Sequence, residues 1–176
     1  MTRTHVAHIL LTFIGRPIPA LRARCSIEED DIVTLNMILR QKPAGFIAVS
    51  QDTTIREVLE ILSKKRIGAV LVMGDQSELA GILSERDIVR GFACHAVGIL
   101  DRAAAELMTP DPVIATPATT IAKAMEMMTD GHFRHLPIVD SRVLIGLVSI
   151  GDVVKARIDQ HMYEFETLRT YVAGGV

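Results

Sequence analysis

The chain has 176 residues, of which 49% are hydrophobic and 23% charged, and its formal net charge is −2. That is enough for one ordinary domain or a pair of small ones with a full core. No excess positive field is available for a phosphate backbone, and two Tyr, five Phe and no Trp offer bases little to stack on, so nucleic acid is not expected as a partner.

Residues 1–31 read as an N-terminal extension. Up to Ile27 they carry Arg3, Arg16, Arg22 and Arg24 and no acid, around the apolar stretch Val6 to Ile14. A targeting segment would look similar. The stretch has no A-x-A-like cleavage site, is interrupted by His8 and holds little Ser. Gly15, Pro17 and Pro19 break a helix, so a poorly ordered extension is the expectation, with Glu28 to Asp31 as a solvated boundary. No apolar run in the chain nears the roughly 20 residues that span a bilayer, and no membrane contact is expected. Cys25 and Cys94 are too few for a disulfide framework, which fits a reducing, cytoplasmic setting.

The first unit is expected over residues 32–92. Ile47 to Val49 is a short strand candidate, and Thr54 with Glu57 forms a capping box before a helix whose apolar positions Ile55, Val58, Leu59 and Leu62 keep helical spacing. Ala69 to Met73, a turn at Gly74 to Glu78, and Ala80 to Leu83 read as a hairpin, after which Ser84 starts another helix. Residues 93–105 are a linker whose Val97 and Leu100, with the following Leu107, predict packing against the units.

The second unit, residues 106–158, repeats the order. Strand Val113 to Ala115 is followed by a helix capped by Thr120, strands Leu136 to Val139 and Leu144 to Val148 around a turn at Asp140 to Arg142, and a helix from Ser149. Pro137 cannot donate to a ladder, which places it at an edge or where its backbone faces a ligand. The last helix is expected from about Gly151 to Tyr171, because Val154, Ile158, Met162, Phe165, Leu168 and Val172 hold three- and four-residue steps; residues 159–176 are its extension. That stripe needs a partner, either the chain's own sheets or a second copy.

Polar spacing repeats along with the apolar pattern. G-I-L-S-E-R-D from Gly81 to Asp87 returns as G-L-V-S-I-G-D from Gly146 to Asp152, 65 residues later. A single [ST]-x-x-[DE] is an ordinary helix-start signature. Two at matched offsets point to a repeated site. A serine at a strand end caps a helix whose free amides attract anions, and an aspartate in the first turn offers two oxygens to vicinal hydroxyls such as those of a ribose. Gly68 with Ala69, and Val113 with Ile114, could form a flat apolar slot for an adenine ring. Arg66, Arg86, Arg134, His135 and Lys155 are candidates to neutralise phosphates. Ser50 and Thr116, just before the Thr-capped helices, are further candidate contacts.

The tandem β-α-β-β-α order and the signature G-h-h-S-x-x-D-h-h-[RK], here Gly81 to Arg90 and Gly146 to Lys155, resemble the cystathionine β-synthase (CBS) domain pair, or Bateman module, over roughly residues 33–158. Small stand-alone bacterial members carry phrases similar to K-R-I-G-A-V, G-I-L-S-E-R-D-I-V-R, R-H-L-P and S-I-G-D-V-V-K-A-R, and residues 1–31 depart from their pattern. The resemblance implies an α+β fold of two pseudo-symmetric repeats. It also implies that Asp87 and Asp152 hold the ribose of an adenine nucleotide, with Ser84 and Ser149 by the sugar and phosphate, in the cleft between repeats. The implied ligand is AMP or another adenosine phosphate such as ATP, then NAD(H), with S-adenosylmethionine also known in the family; a homodimer and an unidentified regulated protein are the implied partners. The alternative is a ligand-independent dimeric interaction module.

No enzyme is expected. His132 and His135 enter a strand and so are not spaced as a metal pair, and Cys94 and His95, as neighbours, point apart.

Overall fold

The computed structural model describes residues 33–42 and 45–173; the extension expected over residues 1–31 lies outside them. In chain order the elements are α1 (Leu35–Gln41), β1 (Ala48–Ser50), α2 (Ile55–Lys65), β2 (Ala69–Met73), β3 (Leu79–Ser84) and α3 (Glu85–His95). A 3-10 segment (Ala96–Asp101), α4 (Ala104–Leu107), β4 (Thr109–Pro110), α5 (Ile121–Asp130), β5 (His135–Asp140), β6 (Val143–Ser149) and α6 (Ile150–Ala173) follow.

Local chemistry accounts for the element boundaries. The Thr54 side chain accepts from the Glu57 N–H while the Glu57 carboxylate accepts from the Thr54 N–H, the reciprocal cap that opens α2. Removing such a cap costs about 1 kcal/mol. Thr120 caps α5 through the Lys123 N–H, without the reciprocal half because Lys123 stands where Glu57 does. Helix α2 ends at Arg66, which takes the left-handed conformation at φ 54°. Ser141 and Arg142, at φ 48° and 68°, form the two-residue turn between β5 and β6.

The first sheet has strand order β1-β2-β3-β4: β1 lies parallel to β2, and the other pairs are antiparallel. The second sheet consists of β5 and β6 alone. The strand expected at Val113 to Ala115 is reduced to one parallel bridge, Ala115 to Ile138, and the repeat itself shows why. In the first unit the Leu71 N–H donates to the Ile47 carbonyl. Pro137 occupies the corresponding place in the second and has no N–H to give, so the ladder survives only where Ala115 N–H donates to Pro137 O and Val139 N–H to Ala115 O. Pro137 is therefore not at an edge. It is buried in a strand flanked by β6 and the Ala115 bridge.

Each unit has its own core, and each core borrows a segment. Val49, Ile55, Val58, Leu62, Val70, Val72, Leu83 and Ile88 pack with Ala104 of α4. Ala115, Ile121, Ala124, Met128, Leu136, Ile138, Val148 and Val153 pack with Leu35 and Ile38 of α1. So α1, at the start of the first unit in sequence, completes the second core, and α4 completes the first. Paired bridges fix this exchange: Thr34 with Thr120, and Thr54 with Ala103. In the linker the buried anchors are Ile99 and Ala104, both fully enclosed, the Ile99 side chain worth about 2 kcal/mol when removed from water and the Ala104 methyl less than half of that.

Helix α6 starts inside the second core through Val153 and then leaves it. From Ile158 onward its apolar side chains are exposed, Met162 at 61%, Phe165 at 67%, Leu168 at 64% and Val172 at 78%.

Candidate functional site

The two helix starts singled out by the S-x-x-D spacing have the same local geometry. At α3 the Ser84 N–H and hydroxyl both donate to Asp87 Oδ2, at 2.9 and 2.5 Å. At α6 the Ser149 N–H and hydroxyl donate to Asp152 Oδ2, at 2.8 and 2.7 Å. Each aspartate thus caps its own helix, the ordinary role of this spacing. Any further role must use the other oxygen and what lies beside it.

Beside Asp87 lies a cleft of about 320 Å³ between the two units. From the first unit it is lined by Ile82, Ser84, Arg86, Asp87 and Arg90; β4 and the segment after it bring Thr109, Asp111, Pro112 and Val113; the turn before β5 and the first residue of that strand bring Gly131, His132, Phe133, Arg134 and His135. Among the described residues no donor reaches Asp87 Oδ1, and neither Arg90 nor Arg134 has a carboxylate within ion-pair distance. The Arg86 guanidinium donates to the His132 carbonyl at 2.8 Å, tying the start of α3 to the opposite unit. A free carboxylate oxygen, arginines and an apolar wall of Ile82, Val113 and Phe133 therefore share one partly polar recess. Such a recess can hold a ligand carrying vicinal hydroxyls, an anionic group and a flat apolar part.

The sequence model of the family described as CBS domain matches residues 32–93 and 104–159. The chain belongs to the CBS-domain family. Among curated proteins it is similar to the mitochondrial CBS domain-containing protein CBSX3 of Arabidopsis thaliana, 29% identical over 171 residues, covering 93% of this chain and 83% of the relative. Among solved structures it is similar to the CBS-domain containing protein of Agrobacterium tumefaciens, with a TM-score of 0.70 and 35% identity over 72% of this chain and 94% of that one. It is also similar to a CBS domain protein of Pyrobaculum aerophilum complexed with AMP, with a TM-score of 0.61 and 26% identity over 68% and 89% of the two chains.

In this CBS pair the expected site residues divide between two places. Ser84, Arg86, Asp87, Val113, Arg134 and His135 line the cleft. Ser149 and Asp152 stand at the start of α6, where the Lys42 ammonium reaches Asp152 Oδ2 at 2.7 Å and also donates to the Leu147 carbonyl at 3.2 Å. Burial pushes the Asp152 carboxyl up, but the bonds from Lys42 and Ser149 outweigh it and hold the group below its usual range.

Other candidates do not line the cleft. Ala69 is 2% exposed because its pairing with Ser84 turns it into the interior, so it offers no surface to a ring, and Pro137 is buried likewise. Ser50 Oγ accepts from the Asp52 N–H, and Thr116 bonds Thr119. Ile114, Arg66 and Lys155 are exposed away from this recess. Gly68 lies under the His135 ring, whose Cε1 is 3.3 Å from where a Cβ on Gly68 would stand.

Arg90, Thr109, Asp111, His132 and Phe133 line the cleft and were not among the expected residues. Arg90 had a readable signal, since it stands one helical turn after Asp87 and shares its face. Thr109 and Asp111 had none, because β4 reaches the site only by pairing with Gly81 and Ile82.

Proposed function

We propose that this CBS pair is a regulatory module that binds an adenine nucleotide in the cleft beside Asp87 and performs no chemistry of its own. One observation carries the reading: Asp87, which lines a recess edged by Arg86, Arg90 and Arg134, spends Oδ2 on the helix cap, and among the described residues no donor reaches its Oδ1. The carboxylate takes the ribose hydroxyls and the guanidiniums take phosphate. AMP is the preferred ligand, supported by the AMP complex of the Pyrobaculum aerophilum relative; ATP, NAD(H) and S-adenosylmethionine are the other members of the class. Ser84 Oγ donates to Asp87 Oδ2, so the hydroxyl and that carboxylate oxygen are both engaged in the start of α3. Because the cleft draws on both repeats, a ligand shifts their relative packing to the extent that it binds one arrangement better than another. Among the described residues no helix is long and apolar enough to cross a membrane; a reducing, cytoplasmic setting belongs to the same reading.

Calorimetric titration of AMP into the full chain tests the site. Asp87→Ala is expected to lose at least about tenfold in affinity, roughly 1.4 kcal/mol. Unchanged affinity in that variant would remove the ribose assignment.

The exposed stripe on α6 supports a homodimer. Val154, Ile158, His161, Phe165, Leu168 and Val172 fall at alternating four- and three-residue steps, a seam of period 3.5 that suits a second copy of the same helix. In a parallel pair Glu164 and Arg169 take flanking positions of opposite sign.

A further inference from the structure

The two S-x-x-D sites occupy equivalent places in the repeat, and the segments that cover them are equivalent too. The Leu35 N–H donates to Thr119 O just as the Ala104 N–H donates to Thr53 O, and the Ile121 N–H donates to Val33 O just as the Ile55 N–H donates to Arg102 O. Leu39 lies over Gly146 as Met108 lies over Gly81. Continued along both segments, this register sets Lys42 against Asp111. The residue that corresponds to Asp111, a wall of the open cleft, is therefore Lys42.

That exchange changes what each site can accept. Ile82 and Asp87 line the open cleft. Their counterparts, Leu147 and Asp152, are bridged by a single ammonium: Lys42 Nζ donates to Leu147 O at 3.2 Å and to Asp152 Oδ2, the oxygen that also caps α6, at 2.7 Å; among the described residues no donor reaches Asp152 Oδ1 either, so the difference between the sites is the ammonium standing between strand and carboxylate. The Asp152 and Lys42 side chains are 25% and 36% exposed, so the pair is half-buried and screened less than a surface pair. Two of the three arginines of the open cleft also have no cationic counterpart: Gly151 stands where Arg86 does, and Gly68 where Arg134 does. Lys155 for Arg90 and Arg66 for His132 keep a basic rim, so the difference lies in the anchor rather than in the rim.

We propose that Lys42 is a built-in stopper of the second site: its ammonium fills the place beside Asp152 that is open beside Asp87, so that each chain takes one nucleotide, at Asp87. The proposal rests on the nucleotide-binding reading given above. It makes the pair a one-input device, with α1 fastened to α6 through Lys42 whether or not the cleft is filled.

Equilibrium dialysis of AMP against the full chain and its variants tests it. The wild type is expected to saturate at one AMP per chain, Asp152→Asn to bind with the same ratio and with affinity within about twofold, and Asp87→Ala to lose at least tenfold. Lys42→Met is expected to raise the ratio towards two, with circular dichroism melting to establish that it is folded. Two AMP per wild-type chain, a tenfold loss in Asp152→Asn, or a folded Lys42→Met that stays at one would each overturn the stopper. Absence of binding by the wild type, with ATP and NADH tried as well as AMP, would instead sink the nucleotide reading on which the stopper depends.

Discussion

His135 stands where the two halves meet. Its ring covers Gly68 of the first unit, it lines the cleft, and the charges of Arg134, Glu85, Asp152 and Lys42 all act on it. Burial first, then the Arg134 cation, lowers its pKa below the ordinary 6.5, against the opposing pull of Glu85 and Asp152. The sign of the consequence follows from linkage. Below pH 6.5 the unfolded chain takes up a proton that the folded chain resists, so stability falls as pH drops from 6.5 towards the lowered value, and above 6.5 the contribution is flat. The melting temperature of the wild type is therefore expected to fall more steeply between pH 7 and pH 5.5 than that of His135→Gln; parallel curves would contradict the burial argument. At this scale the sequence was informative where the chemistry is local. Ser84 and Asp87 lie three residues apart on one helix start, and spacing alone exposes them. Lys42 and Asp152 lie 110 residues apart, and no short pattern could pair them.

Helix α6 extends well beyond what the second core covers. Ile150, Val153 and Ala156 belong to that core, whereas Ile158, Phe165, Leu168 and Val172 face solvent in the single chain. A chain truncated after Ile158 keeps the buried turns and loses most of the seam. Multi-angle light scattering at micromolar concentration is expected to show a dimer for the full chain and at least about tenfold weaker association for the truncated one. An unaltered mass would refute the seam. Helices α2, α3, α5 and α6 were readable in advance from apolar spacing, with Thr54 and Thr120 as caps of α2 and α5, whereas α1 and α4 were not. The strand expected at Val113 to Ala115 was not, because its pairing is decided by a missing N–H at Pro137, on another strand. Val113 itself lines the cleft, at 53% exposure.

At the scale of the molecule, the duplication was plain from two polar patterns in step, and the CBS-domain family follows from it. What the spacing could not convey is the exchange of segments, α1 into the second core and α4 into the first. That exchange is non-local, set by the bridges Thr34 to Thr120 and Thr54 to Ala103. It also gives the pair its asymmetry, because one borrowed segment delivers Asp111 to an open cleft and the other delivers Lys42 to Asp152. A crystal structure of the chain grown with AMP tests the central claim most directly. The account predicts ribose hydroxyls within hydrogen-bond distance of Asp87 Oδ1, with the phosphate against Arg86, Arg90 or Arg134; an empty Asp87 cleft, or AMP seated at Asp152 alone, would contradict it.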